Sequence, residues 1–184
     1  MGKGYSLANE KVILKAKDID RILTRITHEI LETHKGVEDL VLIGIRTGGV
    51  YLADRIQKKI SDVEDVLVPK GDIDINLYRD DWSRISHQPI IQKTEIPFSL
   101  DEKKVILIDD VLFTGRTVRA AMDVLIDFGR PKRIELAVLI DRGHRELPIE
   151  ANYVGKHVKT IHDTTVNVYL QELAKRDEVV ITQL

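Results

Sequence analysis

The chain has no cysteine among its 184 residues. That excludes disulfide bonds and thiolate metal sites, and it fits a reducing compartment. The formal net charge is only −2, so there is no global electrostatic pull on nucleic acid, although a local basic face stays open. No run of apolar residues approaches the length of a membrane span. The first residues, Met1 to Ser6, lack the apolar core of a signal peptide, and the protein is expected to be cytoplasmic. There is no internal repeat and no low-complexity tract. What remains, 43% hydrophobic and 32% charged, is the composition of a soluble globular protein, and the length suits one domain, residues 1–184.

The pattern along the chain is one of alternating strands and helices. Ile19, Ile22, Leu23, Ile26 and Ile30 share one helical face, with Asp18 as N-cap and Gly36 as stop. Leu40 to Ile45 reads as a buried strand, Val50 to Ile60 as a helix, and Arg46-Thr47-Gly48-Gly49 as the loop between them. Asp72 to Leu77 alternates polar and apolar residues, as a half-exposed strand does. Residues 79–97 are polar, irregular and bracketed by prolines; a loop of that length within a compact domain is functional or mobile. Val105 to Ile108 is a further buried strand. The helix after it carries Val118, Ala121, Met122, Leu125 and Ile126 on one face and ends at Gly129 and Pro131. Ile134 to Ile140 is the next strand. This alternation predicts an α/β fold whose central, mainly parallel sheet is flanked by helices. From Ala151 onward, short β-like runs at Val166–Leu170 and Val179–Thr182 predict a small C-terminal β cap.

The segment from Val105 to Thr117, VILIDDVLFTGRT, carries the chemistry. Asp109 and Asp110 stand at the carboxyl end of a buried strand, and Thr114, Gly115, Arg116 and Thr117 turn the chain toward a helix. Ligands of open α/β sheets sit at strand carboxyl ends, where a helix N-terminus offers unpaired N–H groups and positive dipole charge. Hydroxyls and a glycine there suit a phosphate. The two acids suit sugar hydroxyls or a cation. Neither the Gly-Lys-Ser/Thr of a Walker loop nor the G-x-G-x-x-G of a dinucleotide site is present.

This order of residues resembles the ribose-phosphate motif of the type I phosphoribosyltransferases. The resemblance implies their single-domain fold, with a flexible hood loop at about 79–97, and binding of 5-phosphoribosyl-1-pyrophosphate (PRPP) together with Mg²⁺. On the family's pattern Asp109 and Asp110 face the ribose hydroxyls, with Mg²⁺ nearby. The turn formed by Val111, Leu112, Phe113, Thr114, Gly115, Arg116 and Thr117 wraps the 5′-phosphate. Thr47 and Gly48 bind pyrophosphate, and Arg79 reaches it from the hood. Many members carry Arg where this chain has Gly48, which leaves Arg46 as the cation of that loop.

Four further runs are similar to one branch, the pyrimidine operon regulators that are also uracil phosphoribosyltransferases. They are Leu23–Glu29 (LTRITHE), Asp72–Asp81 (DIDINLYRDD), Arg119–Met122 (RAAM) and Asp141–Ile149 (DRGHRELPI). The resemblance extends from about Ile19 to the C-terminus. It implies conversion of uracil and PRPP into UMP and pyrophosphate, with uracil held near Arg142 and Val158. It also implies UMP-dependent binding of an mRNA hairpin through Thr24, Arg25, His28, His144, Arg145 and Lys156, and assembly as a homodimer or homotetramer. Thr33 and Glu150 stand where Bacillus-type members carry Arg, which weakens phosphate attraction. Two alternatives stay open at this point. One is a regulator whose PRPP site only senses ligands; the other is a purine phosphoribosyltransferase, against which the Arg-Gly-His-Arg run argues.

Overall fold

The computed structural model describes residues 10–75, 94–161 and 164–183. Its centre is a five-stranded, all-parallel sheet in the order β3-β2-β4-β5-β6. The strands are β2 (Leu40–Ile45), β3 (Lys70–Ile73), β4 (Lys104–Leu112), β5 (Arg133–Asp141) and β6 (Tyr153–His157). Unbroken apolar runs form β2 and the middle of β4 because both faces of the sheet are covered. Alternate residues of one strand serve different cores. Ile106 and Ile108 face the layer of α1 (Ala16–His34) and α2 (Gly48–Glu64), with Leu23, Ile26, Leu52 and Ile56. Val105 and Leu107 face α3 (Arg116–Asp127), with Val118, Ala121, Val124 and Leu125.

A second, antiparallel sheet, β1-β8-β7, closes one side. It joins β1 (Glu10–Lys15) to β7 (Thr164–Tyr169) and β8 (Glu178–Gln183), with a one-turn helix α4 (Gln171–Ala174) between the last two. Arg55 of α2 ties this cap to the main body. It donates to Glu172 at 2.7 and 2.9 Å and to Asp177 at 2.7 and 3.2 Å.

Several expectations need correction. Asp18 is not the N-cap of α1: β1 runs straight into the helix at Lys15, and the Asp18 carboxylate reaches back to accept the Lys15 N–H at 3.0 Å. The strand expected from Asp72 begins at Lys70, and Asp74 and Ile75 beyond it are buried. Ile126 is exposed at the end of α3, and Val124 takes the buried place. The chain after Ala151 is not all cap, because β6 joins the main sheet at its edge beside β5. Among the described residues, no helix is long and apolar enough to cross a membrane.

Candidate active site

β4 does not stop before its acids; it continues through them to Leu112. The strand therefore presents Asp109 and Asp110 with little rotational freedom. Asp109 is 6% exposed. Its carboxylate accepts the Asp110 N–H at 2.9 Å, and the Asp110 carboxylate accepts the Val111 N–H at 2.8 Å. Burial, reinforced by the charge of Asp110, holds the Asp109 carboxyl well above its ordinary range. Burial raises Asp110 as well, against the pull of the Val111 N–H. Two such acids, side by side and short of water, are relieved by hydroxyl donors or a cation.

The neighbouring strand β2 brings the second loop to the same place. Only Arg46 and Thr47 separate Ile45 from the first residue of α2, Gly48, and the Arg46–Thr47 peptide bond is cis. Thr47 is exposed and its side chain makes no cap bond to the helix. Gly48 lies against the Asp110 carboxylate so closely that a Cβ there would collide with it, meeting Cγ at 2.8 Å. The two loops expected to share PRPP are thus brought into contact through Gly48 and Asp110. The Arg46 guanidinium lies 3.5 Å from Asp72 Oδ2, and Lys70 donates to the other oxygen of Asp72 at 2.7 Å. Asp72 was legible from sequence only as part of a strand, since nothing local links it to Arg46.

After β4, Phe113 to Gly115 turn the chain into α3. Gly115 has φ +91°, a left-handed conformation that suits glycine. The N-cap of α3, Gly115, has no side chain to offer, and the Arg116 N–H at the start of the helix donates to Thr114 Oγ1 at 3.3 Å. Segment 143–149 braces this turn from behind. Glu146 N and Leu147 N donate to Thr114 O at 3.0 and 3.2 Å, and Arg116 Nε donates to Glu146 at 2.7 Å.

The third wall follows β5. A cleft of about 500 Å³ is lined by Asp141, Arg142, Arg145, His157, Val158 and Thr160, among others. Arg142 is 7% exposed; its Nη2 donates to Thr164 O at 2.7 Å, and its guanidinium lies 4.0 Å from the centre of the Phe113 ring. Asp141 is held low, against its burial, by Arg145, which donates to it at 2.6 Å, and by the Gly143 N–H. Arg142 and Val158, the two residues expected near uracil, line this one cleft.

The residues expected to touch RNA fall into two groups. Thr24, Arg25 and His28 lie along α1; Arg25 donates to Val154 O and Gly155 O of β6 at 2.9 and 2.8 Å, and Thr24 accepts from Lys59 at 2.9 Å. Lys156, on the same edge strand, donates to Ile13 O at 3.3 Å. His144 and Arg145 stand at the cleft instead. His144 donates to Thr160 O at 2.7 Å, and Arg145 also bonds Ile149 O and Phe113 O at 3.0 and 2.9 Å. Thr33 and Glu150 are both exposed. Arg79 and most of the hood expected at 79–97, namely residues 79–93, lie outside the described residues.

Comparison with known proteins gives the family. The phosphoribosyl transferase domain model matches residues 10–172. "Bifunctional protein PyrR" of Deinococcus deserti is 55% identical over 177 residues, covering 96% of this chain and 97% of that one. The protein of that name from Clostridioides difficile is 54% identical, covering 93% and 97%. Among solved structures, a hypoxanthine phosphoribosyltransferase from Staphylococcus aureus superposes with a TM-score of 0.69 at 24% identity, covering 95% of this chain and 92% of that one. One from Trypanosoma cruzi gives 0.73 at 19%, covering 99% and 95%. At such identities these two speak for the fold alone. With half its sequence shared along nearly its whole length, the chain belongs to the phosphoribosyl transferase family and, within it, to the bifunctional PyrR proteins.

Proposed function

We propose that the chain transfers the phosphoribosyl group of PRPP to uracil, giving UMP and pyrophosphate, and that with UMP bound it regulates a pyrimidine operon by binding an attenuator hairpin in the mRNA. The observation that carries the enzymatic reading is the run from Asp109 to Thr117, in which a buried carboxylate and its half-buried neighbour lead through a hydroxyl-bearing turn into a helix N-terminus. In the reaction uracil N1 bonds to the anomeric carbon of ribose as the bond from that carbon to pyrophosphate oxygen breaks. The uracil N1 proton is lost. Positive charge develops on the sugar, so positioning and charge stabilisation do the catalysis, with no covalent nucleophile.

Each wall has a part. The N–H groups and hydroxyls of Val111 to Thr117, including Leu112, Phe113 and the guanidinium-bearing Arg116, receive the 5′-phosphate. Asp109 and Asp110 take the ribose hydroxyls. Thr47 and Gly48 receive pyrophosphate, with Arg46 beside them and Arg79 closing from the hood to exclude water. Arg142 and the main chain at Val158 hold uracil. Mg²⁺ fits the chemistry of this donor set, since adjacent carboxylates offer the hard oxygens that the ion takes, and Asp109 and Asp110 would hold it beside PRPP. Bound with PRPP, the ion spreads the charge of the departing pyrophosphate.

The RNA face we assign is Thr24, Arg25, His28 and Lys156 on α1 and β6, with His144 and Arg145 at the cleft mouth linking it to the UMP site. We also propose a cytoplasmic homodimer or homotetramer, checked by light scattering.

The test is a base panel and a hairpin titration. Uracil alone, and not hypoxanthine, should give nucleotide and pyrophosphate with PRPP and Mg²⁺. Absence of turnover with every base, from folded protein that still binds PRPP, would leave a ligand-sensing regulator. Hairpin affinity should rise when UMP is added; equal affinity with and without UMP would refute the regulatory half.

A further inference from the structure

Arg142 is a buried cation with no carboxylate paired to it among the described residues. The acid next to it, Asp141, is committed to Arg145 and the Gly143 N–H. Of the Arg142 guanidinium nitrogens, only Nη2 has a hydrogen-bond partner among the described residues, a backbone carbonyl, and Nε is buried with none. Burial alone lowers its tendency to hold a proton, with no acid to oppose that. What faces the guanidinium instead is the Phe113 ring, 4.0 Å away, itself packed edge-on to His144 with ring centres 6.2 Å apart. A stacked guanidinium keeps its in-plane N–H groups free to point along the ring plane.

We infer that Phe113 is a positioning residue that sets pyrimidine specificity: its ring fixes Arg142 so that the guanidinium can donate to a base carbonyl. This rests on the uracil reading above. Guanidinium only donates. The C4 carbonyl of uracil would satisfy it, whereas the amino group that cytosine carries at that carbon would set donor against donor. A site built to bond a carbonyl rejects an analogue that leaves its polar group unmet far more strongly than an apolar pocket rejects a change of size. Phe113 thus serves the base through its ring while its backbone belongs to the phosphate turn.

The test compares wild type, Phe113→Leu and Phe113→Tyr for KM of uracil, KM of PRPP, and the uracil-to-cytosine ratio of kcat/KM. Leu keeps most of the apolar volume and loses the ring face; Tyr keeps the face. Phe113→Leu should raise KM for uracil about three- to thirtyfold, the range of a desolvated cation–ring contact, and lower the uracil-to-cytosine ratio. Phe113 lends only its backbone to the phosphate turn, so KM for PRPP should change far less than KM for uracil, and Phe113→Tyr should restore the uracil KM and the uracil-to-cytosine ratio. The inference is overturned if uracil KM is unchanged in Phe113→Leu, if PRPP KM rises alongside it, or if Tyr behaves like Leu. Phe113→Met takes the place of Leu if that variant does not fold. A wild type that does not turn over uracil would overturn the functional reading and this inference together; a wild type that does, with variants unaffected, would overturn only this one.

Discussion

Replacing Gly48 by Ala should damage the reaction far more than the fold. The added Cβ would lie 2.8 Å from Asp110 Cγ and 3.1 Å from its Cβ, closer still to Oδ2. The Asp110 side chain is the part that can give way. When it turns, the bond its Oδ1 accepts from Val111 N at 2.8 Å is lost, along with its aim at the ribose. A hydrogen bond to a charged group contributes about 1.5–3 kcal/mol. Since about 1.4 kcal/mol is a factor of ten, kcat/KM for PRPP should fall roughly ten- to a hundredfold. Gly49→Ala provides the contrast. Its Cβ would press on the backbone of β4, against Ile108 C and Asp109 Cα at 3.1 Å and closer to Ile108 O, so the helix and strand must separate and stability must drop. Steady-state kinetics with varied PRPP, beside urea unfolding of both variants, reads the difference. The reasoning fails if Gly48→Ala keeps its PRPP kinetics, or if it loses as much stability as Gly49→Ala.

Other consequences concern charge. Because Asp109 is raised in the folded state, the native chain binds more protons than the unfolded one above the ordinary carboxyl range, so stability without ligand should fall as pH rises through that window. Asp109→Asn should therefore melt a few degrees higher than wild type at neutral pH while losing PRPP binding, as scanning calorimetry would record. Glu135 accepts from Tyr153 at 2.7 Å, His34 at 2.8 Å and Arg133 at 2.8 Å; burial, with Glu135 beside it, pushes the Tyr153 hydroxyl up to about 12. Glu135→Ala leaves buried donors unmet and should cost about 3 kcal/mol in denaturant unfolding. The Glu135 carboxyl itself is lowered, against its burial, by Tyr153 and His34; its contribution is present above the ordinary carboxyl range and lost as pH falls below it, so Glu135→Gln should flatten the acid limb of the stability curve. Arg55→Ala should free Glu172 and Asp177, cost about 1 kcal/mol, and speed amide exchange in β7 and β8 without changing exchange in β4.

What could be read from sequence was local in the chain. The buried strands β2 and β4, the carboxylate pair and the turn into α3 each occupy a few consecutive residues, so their order alone exposes them. β1 escaped because its partner β8 lies at the other end of the chain and most of its residues are exposed. β6 looked like cap because Gly155, Lys156 and His157 make a weak strand; β5 beside it supplies the pairing. The contact between Gly48 and Asp110, and that between Phe113 and Arg142, arise only when adjacent strands bring their ends together. Nor could the sequence show that the Arg145 guanidinium bonds four groups of its own chain, which lie between two and 32 residues away along it.

The proposed catalysis depends on the carboxylate pair and the turn that follows it. The most direct measurement is UMP formation from uracil and PRPP with Mg²⁺, for wild type beside the double variant Asp109→Asn/Asp110→Asn. Turnover in the wild type, with a folded double variant that forms no UMP, is the predicted result. A double variant that still makes UMP at the wild-type rate would contradict it.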